Sequence, residues 1–138
     1  MARSALVDEG EAPEVLRILT EVGASEGSPA IAVRSLGGAV SRVPADATAY
    51  AHREASLMIA TTTGGPKPML DAARPALEAI WGRLAPHVLG LYANFVSSAT
   101  DADVAGIYPP DTYQRLAAVK RQYDPGNLFA RNHNVRPR

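Results

Sequence analysis

Cysteine is missing from all 138 residues, and disulfides, zinc–thiolate sites and a cysteine nucleophile are excluded with it. Net charge is missing as well, because fourteen basic residues balance fourteen acidic ones. A neutral chain lacks the positive field that non-specific nucleic-acid binding requires, so nucleic acid is set aside as a partner. No apolar run approaches the roughly 18–20 residues that cross a bilayer, and no membrane partner is expected. His52, His87 and His133 are too scattered for metal-ligand spacing, so no metal is expected. Gly37-Gly38 and Gly64-Gly65 complete neither a phosphate loop nor a dinucleotide fingerprint, and no Gly-x-Ser-x-Gly elbow occurs. The opening Met1–Gly10 has no apolar core of signal-peptide length, which gives a cytoplasmic expectation.

What is present describes an ordered globular chain. Hydrophobic residues make up 46% and charged residues 20%, which separates it from disordered sequences. Its length is near the common domain size of roughly 100–150 residues.

The acidic opening to about Glu14 reads as a loop. Val15, Leu16, Ile18, Leu19 and Val22 recur at helical spacing, with Gly23 as a stop. Ile31, Val33 and Leu36 read as a strand, Gly37-Gly38 as a hairpin turn and residues 39–43 as the returning strand. A second strand pair is expected over 48–53 and 56–62. Beyond the break at Gly64–Pro68, a helix carries Leu70, Ala73, Leu77, Ile80, Trp81 and Leu84, with Pro75 either kinking it or opening its regular part. Leu91–Ser97 reads as a short strand and Ser98–Pro110 as a loop. A last helix is capped by Asp111 or Thr112. This order predicts an α+β fold, an antiparallel sheet with helices packed on one face. The other face is expected to be solvated or covered by a partner.

Tyr92 and Asn94 lie two apart, so on a strand they share a side. A phenol beside a carboxamide forms a polar cluster suited to a planar ligand with a mixed donor and acceptor edge, although from the residues alone a solvated strand face is the simpler account of the pair. Asn132 and Asn134 form a second same-side pair if the tail is extended. His133 then points away as a surface histidine. His52-Arg53, after Tyr50, either neutralises an acidic group or pairs structurally with Glu54. Met58 reads as pocket lining or as core. Asp124-Pro-Gly-Asn-Leu-Phe129 reads as a turn, with Gly126 at positive φ and Leu128 and Phe129 anchored in the core. Lys120 and Arg121 read as solvated helix charges.

The stretch from Tyr108 to Pro137, with its Arg- and Lys-bearing helix, Asp124-Pro-Gly-Asn-Leu-Phe129 turn and Asn132-His-Asn134 ending, resembles the C-terminal segment of berberine-bridge-enzyme-like FAD-linked oxidases. Leu36-Gly-Gly-Ala-Val40, His52-Arg53 and Tyr92-Ala-Asn94 extend the resemblance. It implies FAD as cofactor, a small-molecule substrate, and hydride transfer from a substrate C–H to the flavin, which dioxygen reoxidises. It makes Tyr92 the candidate catalytic base and Asn94, Asn132 and Asn134 the candidate flavin contacts. A free tyrosine ionises at about pH 10, so a base role requires a neighbouring charge or proton transfer concerted with hydride departure. The aspartate that many family members carry shortly after the asparagine is absent here, where Phe95-Val-Ser-Ser98 follows.

The resemblance divides the chain into part of a substrate-binding domain, residues 1–89, and a berberine-like segment, residues 90–138. It leaves the FAD-binding domain as a partner, missing or separately encoded. The alternative reading is a non-catalytic α+β interaction or small-ligand-binding module that forms a homodimer through a bare sheet face.

Overall fold

The computed structural model describes residues 1–98 and 100–137. Three strands, β1 (Ala2–Val7), β2 (Ala30–Ser35) and β3 (Leu57–Thr62), are accompanied by four helices: α1 (Ala12–Gly23), α2 (Lys67–Leu84), α3 (Asp101–Ile107) and α4 (Pro110–Tyr123). The sheet is antiparallel in the order β1-β3-β2, so the last strand in sequence is the central one. Ala5 and Val33 both stand opposite Ile59. The α+β architecture is as expected, and no helix among the described residues is long and apolar enough to cross a membrane.

Strand alternation sorts the core into two layers. Ala5, Val7 and Ile59 face the helices, where Val15, Ile18, Leu19 and Val22 of α1 meet Trp81 and Leu84 of α2. The α1 stripe has the three-and-four spacing of one helical face; Leu16, off the stripe, is exposed. The Trp81 indole N–H donates to Thr61 Oγ1 at 3.2 Å, satisfying a buried donor. Pro75 sits within α2 with its ring in solvent, so the helix runs through it rather than beginning there.

On the opposite face, Leu6, Ala55 and Met58 are buried beneath Leu36, Tyr50, Tyr92 and Phe95. The expected bare face is therefore largely covered by the chain itself, and Met58 is a core residue.

Several expected elements differ. The opening is a strand, because Ala5-Leu6-Val7 is buried in the sheet; three apolar residues ahead of Asp8 carry too weak a period to read. Residues 39–43 and 48–53 form turns instead of strands. The loop from 36 to 56 is held by side chains. Arg53 donates to the carbonyls of Tyr50 (2.9 Å) and Val40 (3.3 Å) and to Thr48 Oγ1 (2.6 Å), and lies over the Tyr50 ring. Arg115 on α4 adds bonds to the carbonyls of Asp46 and Thr48. Arg53 thus serves loop carbonyls rather than Glu54. Within the expected loop after Ser98, α3 forms behind a reciprocal cap between Thr100 and Asp103. Pro110 opens α4 one residue ahead of the expected cap, its missing N–H being no loss in a first turn.

The turn after α4 is fixed by polar groups, not by burial. The Asp124 carboxylate accepts the N–H of Leu128 (2.8 Å) and Phe129 (3.1 Å) and pairs with Lys120 at 2.8 Å. Lys120 also donates to the Phe129 carbonyl at 2.8 Å, so it is not a free solvated charge. Asn127, not Gly126, adopts positive φ (52°). Leu128 and Phe129 are 83% and 76% exposed, contrary to the expected core anchoring, because the turn needs no apolar anchor.

The Lys120 hydrogen bond, and then the Leu128 and Phe129 amides, hold the Asp124 carboxyl below the usual carboxylate range against a smaller opposing effect of burial. A depressed carboxyl contributes stability above its unfolded value, about 3.9, and that contribution disappears as pH falls through the lower folded value. Wild type should therefore lose more stability than Asp124→Asn between pH 7 and pH 3. Urea midpoints at the two pH values check this, and equal losses would remove Asp124 from acid sensitivity.

Candidate functional site

Tyr92 and Asn94 are brought together, though not by a strand. Gly90 makes a single bridge to Leu6, after which Ala93–Phe95 winds into one 3-10 turn with Tyr92 as its extended cap. Reciprocal bonds fasten Tyr92 to β1: its N–H donates to Ser4 Oγ at 2.9 Å, and that hydroxyl donates to the Tyr92 carbonyl at 3.0 Å. The Asn94 amide Nδ2 then donates to Tyr92 Oη at 3.0 Å. A turn places residues two apart within reach of each other, whereas a strand would have left them merely adjacent on one side.

The Tyr92 ring is half-buried and packed edge-on against Tyr50 (centroids 6.3 Å, 79°) and tilted against Phe95 (5.8 Å). Arg34 of β2 lies over the far ring, 5.4 Å from the Phe95 centroid. Tyr50, Phe95 and Arg34 were not singled out as site residues in the sequence. Arg34 could have been found from alternation, since it shares a strand face with Ala32, but Tyr50 arrives from an irregular loop with no periodic signal. Burial pushes the Tyr50 phenol above the ordinary tyrosine range, opposed by the Arg53 charge.

The tail approaches the same turn. His133 is half-buried and its Nε2 donates to the Ala93 carbonyl at 3.0 Å, so it does not point away as a surface histidine. The chain bends through 131–133, and the extended pairing of Asn132 with Asn134 does not form. Asn132 is exposed. Asn134 is half-buried, and its Oδ1, like Asn127 Oδ1 and His133 Nδ1, is a buried atom without a hydrogen-bond partner among the described residues. Such atoms are costly unless something supplies the missing bond. Asn134 lines a groove of about 410 Å³ with Tyr108, Tyr113 and Arg136. A second groove of about 550 Å³ lies elsewhere, among Arg3, Arg74, Trp81 and Asp103.

His52 serves the framework. Buried to 6% exposure, it donates from Nε2 to the Gly106 carbonyl at 3.1 Å and ties the loop beneath Tyr50 to α3.

The residues around Tyr92 fit the polar edge of a planar heterocycle. An aromatic wall adjoins an exposed carboxamide whose Oδ1 has no bond among the described residues. They do not fit a dinucleotide pyrophosphate. The single strand–Gly-Gly–helix passage, from β3 through Gly64-Gly65 into α2, has Pro66 and Pro68 where amide donors would be needed.

Residues 92–136 match the family described as berberine and berberine like. Over 41 residues, 30% of this chain and 9% of the relative, the sequence is 54% identical to (R)-6-hydroxynicotine oxidase of Paenarthrobacter nicotinovorans. Over 107 residues, 72% of this chain and 22% of the relative, it is 31% identical to chitooligosaccharide oxidase of Gibberella zeae. Among solved structures, Phl p 4, a grass pollen allergen with glucose dehydrogenase activity, superposes with a TM-score of 0.80 at 22% identity, over 100% of this chain and 32% of that one. The chain thus matches about a fifth or less of the length of these curated relatives.

Proposed function

We propose that this chain, whose residues 92–136 belong to the berberine and berberine-like family, supplies one wall of the active site of an FAD-linked oxidoreductase. The rest of that site belongs to an FAD-binding domain that is its partner. The observation that carries the reading is the Asn94–Tyr92 bond at 3.0 Å on a turn clamped to β1, inside the matched segment.

When bound, FAD provides a hydride acceptor that dioxygen can restore. Tyr92, entering as its phenolate, takes the proton of a substrate hydroxyl or amine as its C–H is oxidised and leaves as the neutral phenol. The Asn94 N–H, directed at the phenol oxygen, steadies that oxygen and supports negative charge on it. The carboxamide oxygen of Asn94 stays free for a ring N–H. Asn134, with its orphaned acceptor, and the exposed Asn132 are assigned to further flavin contacts from the tail, which His133 ties to the Ala93 carbonyl. Tyr50 and Phe95 hold the phenol ring between them and shield it from water on two sides.

A chimera in which this chain replaces the matched stretch of chitooligosaccharide oxidase tests the reading. It is expected to retain FAD, and Tyr92→Phe should lower its kcat by roughly 10²–10⁴ with flavin content unchanged, the range for loss of a general base. A decrease of less than about threefold would remove Tyr92 from the base role. A chimera that folds without flavin would remove the proposal itself.

A further inference from the structure

We propose that His133 is a positioning residue for the Asn94–Tyr92 pair, holding from the tail the peptide plane on which Asn94 stands, a role that rests on the reading of Tyr92 as a base.

The turn that carries the pair is too short to hold itself. Ala93–Phe95 is a single 3-10 turn, a form with poor hydrogen-bond geometry that is used in short pieces. Its own bonds run from Phe95 N–H to the Tyr92 carbonyl at 3.0 Å and from Val96 N–H to the Ala93 carbonyl at 3.3 Å. Two clamps to β1 flank it. On one side the Ser4 hydroxyl bonds both backbone groups of Tyr92. On the other, Ser97 N–H donates to the Ala2 carbonyl at 2.9 Å and Ser97 Oγ accepts the Ala2 N–H at 2.7 Å. Between these clamps, and among the described residues, 93–96 receive one hydrogen bond from elsewhere in the chain. It runs from His133 Nε2 to the Ala93 carbonyl at 3.0 Å.

The acceptor gives this bond its leverage. The Ala93 carbonyl and the Asn94 N–H belong to one planar peptide unit, so fixing the oxygen fixes the plane from which the Asn94 side chain departs. Rotation of that plane would swing the carboxamide away from Tyr92 Oη, which its Nδ2 reaches at 3.0 Å. A carbonyl only accepts, so Nε2 carries the imidazole proton. The other ring nitrogen, Nδ1, is buried with no partner among the described residues, and no competing bond there turns the ring. A side chain 40 positions away thereby aims the N–H that steadies the phenol oxygen. Such a residue acts on the base and not on substrate binding, so its loss should fall on kcat and leave KM.

The isolated full chain provides the first measurement. In 15N NMR spectra the His133 proton should sit on Nε2. The Asn94 side-chain amide signals should move in Tyr92→Phe, which lacks the acceptor. His133→Phe, which keeps a ring and removes the donor, should move them in the same direction, and His133→Gln, which keeps a donor at similar reach, should return them toward wild type. In the chitooligosaccharide oxidase chimera, His133→Phe should lower kcat by about tenfold to 10²-fold, the range for a slight misplacement, with KM little changed. Combined with Tyr92→Phe it should lower kcat no further, and His133→Gln should recover most of the loss. Should His133→Phe misfold, the wild-type tautomer and the His133→Gln kinetics still decide. A wild-type proton on Nδ1, or losses that multiply in the double variant, would each overturn the proposal. So would a kcat as low in His133→Gln as in His133→Phe, which would make the imidazole itself a proton carrier. A kcat unmoved by Tyr92→Phe would remove the base reading and the kinetic role of His133 with it. Asn94 signals unmoved by His133→Phe, beside a Tyr92→Phe that lowers kcat, would remove this proposal alone.

Discussion

The purified 138-residue chain is expected to be colourless and to titrate with FAD without saturation. The reason is a mismatch between what a flavin dinucleotide needs and what this surface presents. Its pyrophosphate is ordinarily held by backbone amides at a helix start after a glycine turn. The one passage here with that layout enters α2 through Pro66 and Pro68, which lack N–H groups, and the first turn of α2 bears no acidic residue but also directs Lys67 to Asp71. Around Tyr92 the chain offers one half-open wall, and ligands held well are buried over most of their surface. One wall with two or three hydrogen bonds should give a Kd no tighter than about 1 mM, or about 4 kcal/mol. Joined to a flavin-binding partner, as in the chimera, the chain should belong to a protein that keeps its flavin through gel filtration. That difference spans several decades of affinity. Quenching of flavin fluorescence on adding the isolated chain, together with the absorbance of the purified protein, measures it. A yellow, stoichiometric complex of the isolated chain would show that the described residues bind the dinucleotide by a route their geometry does not reveal.

How much of this was legible in the sequence depends on the kind of signal each part carries. α1 could be read because Val15, Ile18, Leu19 and Val22 repeat at helical spacing, and β3 because a β-branched and apolar run follows a break. The false strands at 39–43 and 48–53 arose because the sequence gives no hint that Arg53 and Arg115 bind the loop carbonyls from a distance. Long-range side-chain bonds replace the ladder there, and they have no period. α3 was hidden for another reason: seven residues are too few for periodicity, and its Thr100–Asp103 cap was the available mark. In the site, the pairing of Tyr92 with Asn94 was legible while its geometry was not. Alternation on a strand and one turn of 3-10 helix both bring residues two apart into proximity, and the presence of Gly90 in a buried crossing decides between them. The tail pair was misread for lack of the His133–Ala93 bond, which bends the chain.

Gly90→Ala should be among the most destabilising single-methyl changes in this protein. Gly90 is buried where three segments cross. Its carbonyl accepts the Leu6 N–H at 2.8 Å, while next to it the Gly106 carbonyl accepts both the Leu91 N–H at 2.9 Å and His52 Nε2 at 3.1 Å. A Cβ on Gly90 would lie 2.2 Å from His52 Cε1, 2.3 Å from its Nε2 and 2.8 Å from the Gly106 oxygen. The imidazole could escape only by abandoning its bond, leaving a buried donor unpaired at about 1–3 kcal/mol. The carbonyl cannot move without breaking the Leu91 bond. Overpacking adds about 1–3 kcal/mol, so a loss of roughly 3 kcal/mol or more is expected, a large share of the 5–15 kcal/mol typical of a domain. Thermal unfolding followed by circular dichroism should show a Tm lower by roughly 10 °C. Gly82→Ala, in α2 with nothing within 4 Å of the added carbon, should instead gain about 0.5–1 kcal/mol from helix propensity. The double variant His52→Ala/Gly90→Ala isolates the cause: removing the ring should make the combined loss smaller than the sum of the two single losses. A Gly90→Ala protein melting within a degree or two of wild type would mean that the crossing has slack. In that case the Tyr92 turn, which leaves Gly90 two residues later, would not be held in place by the contacts described.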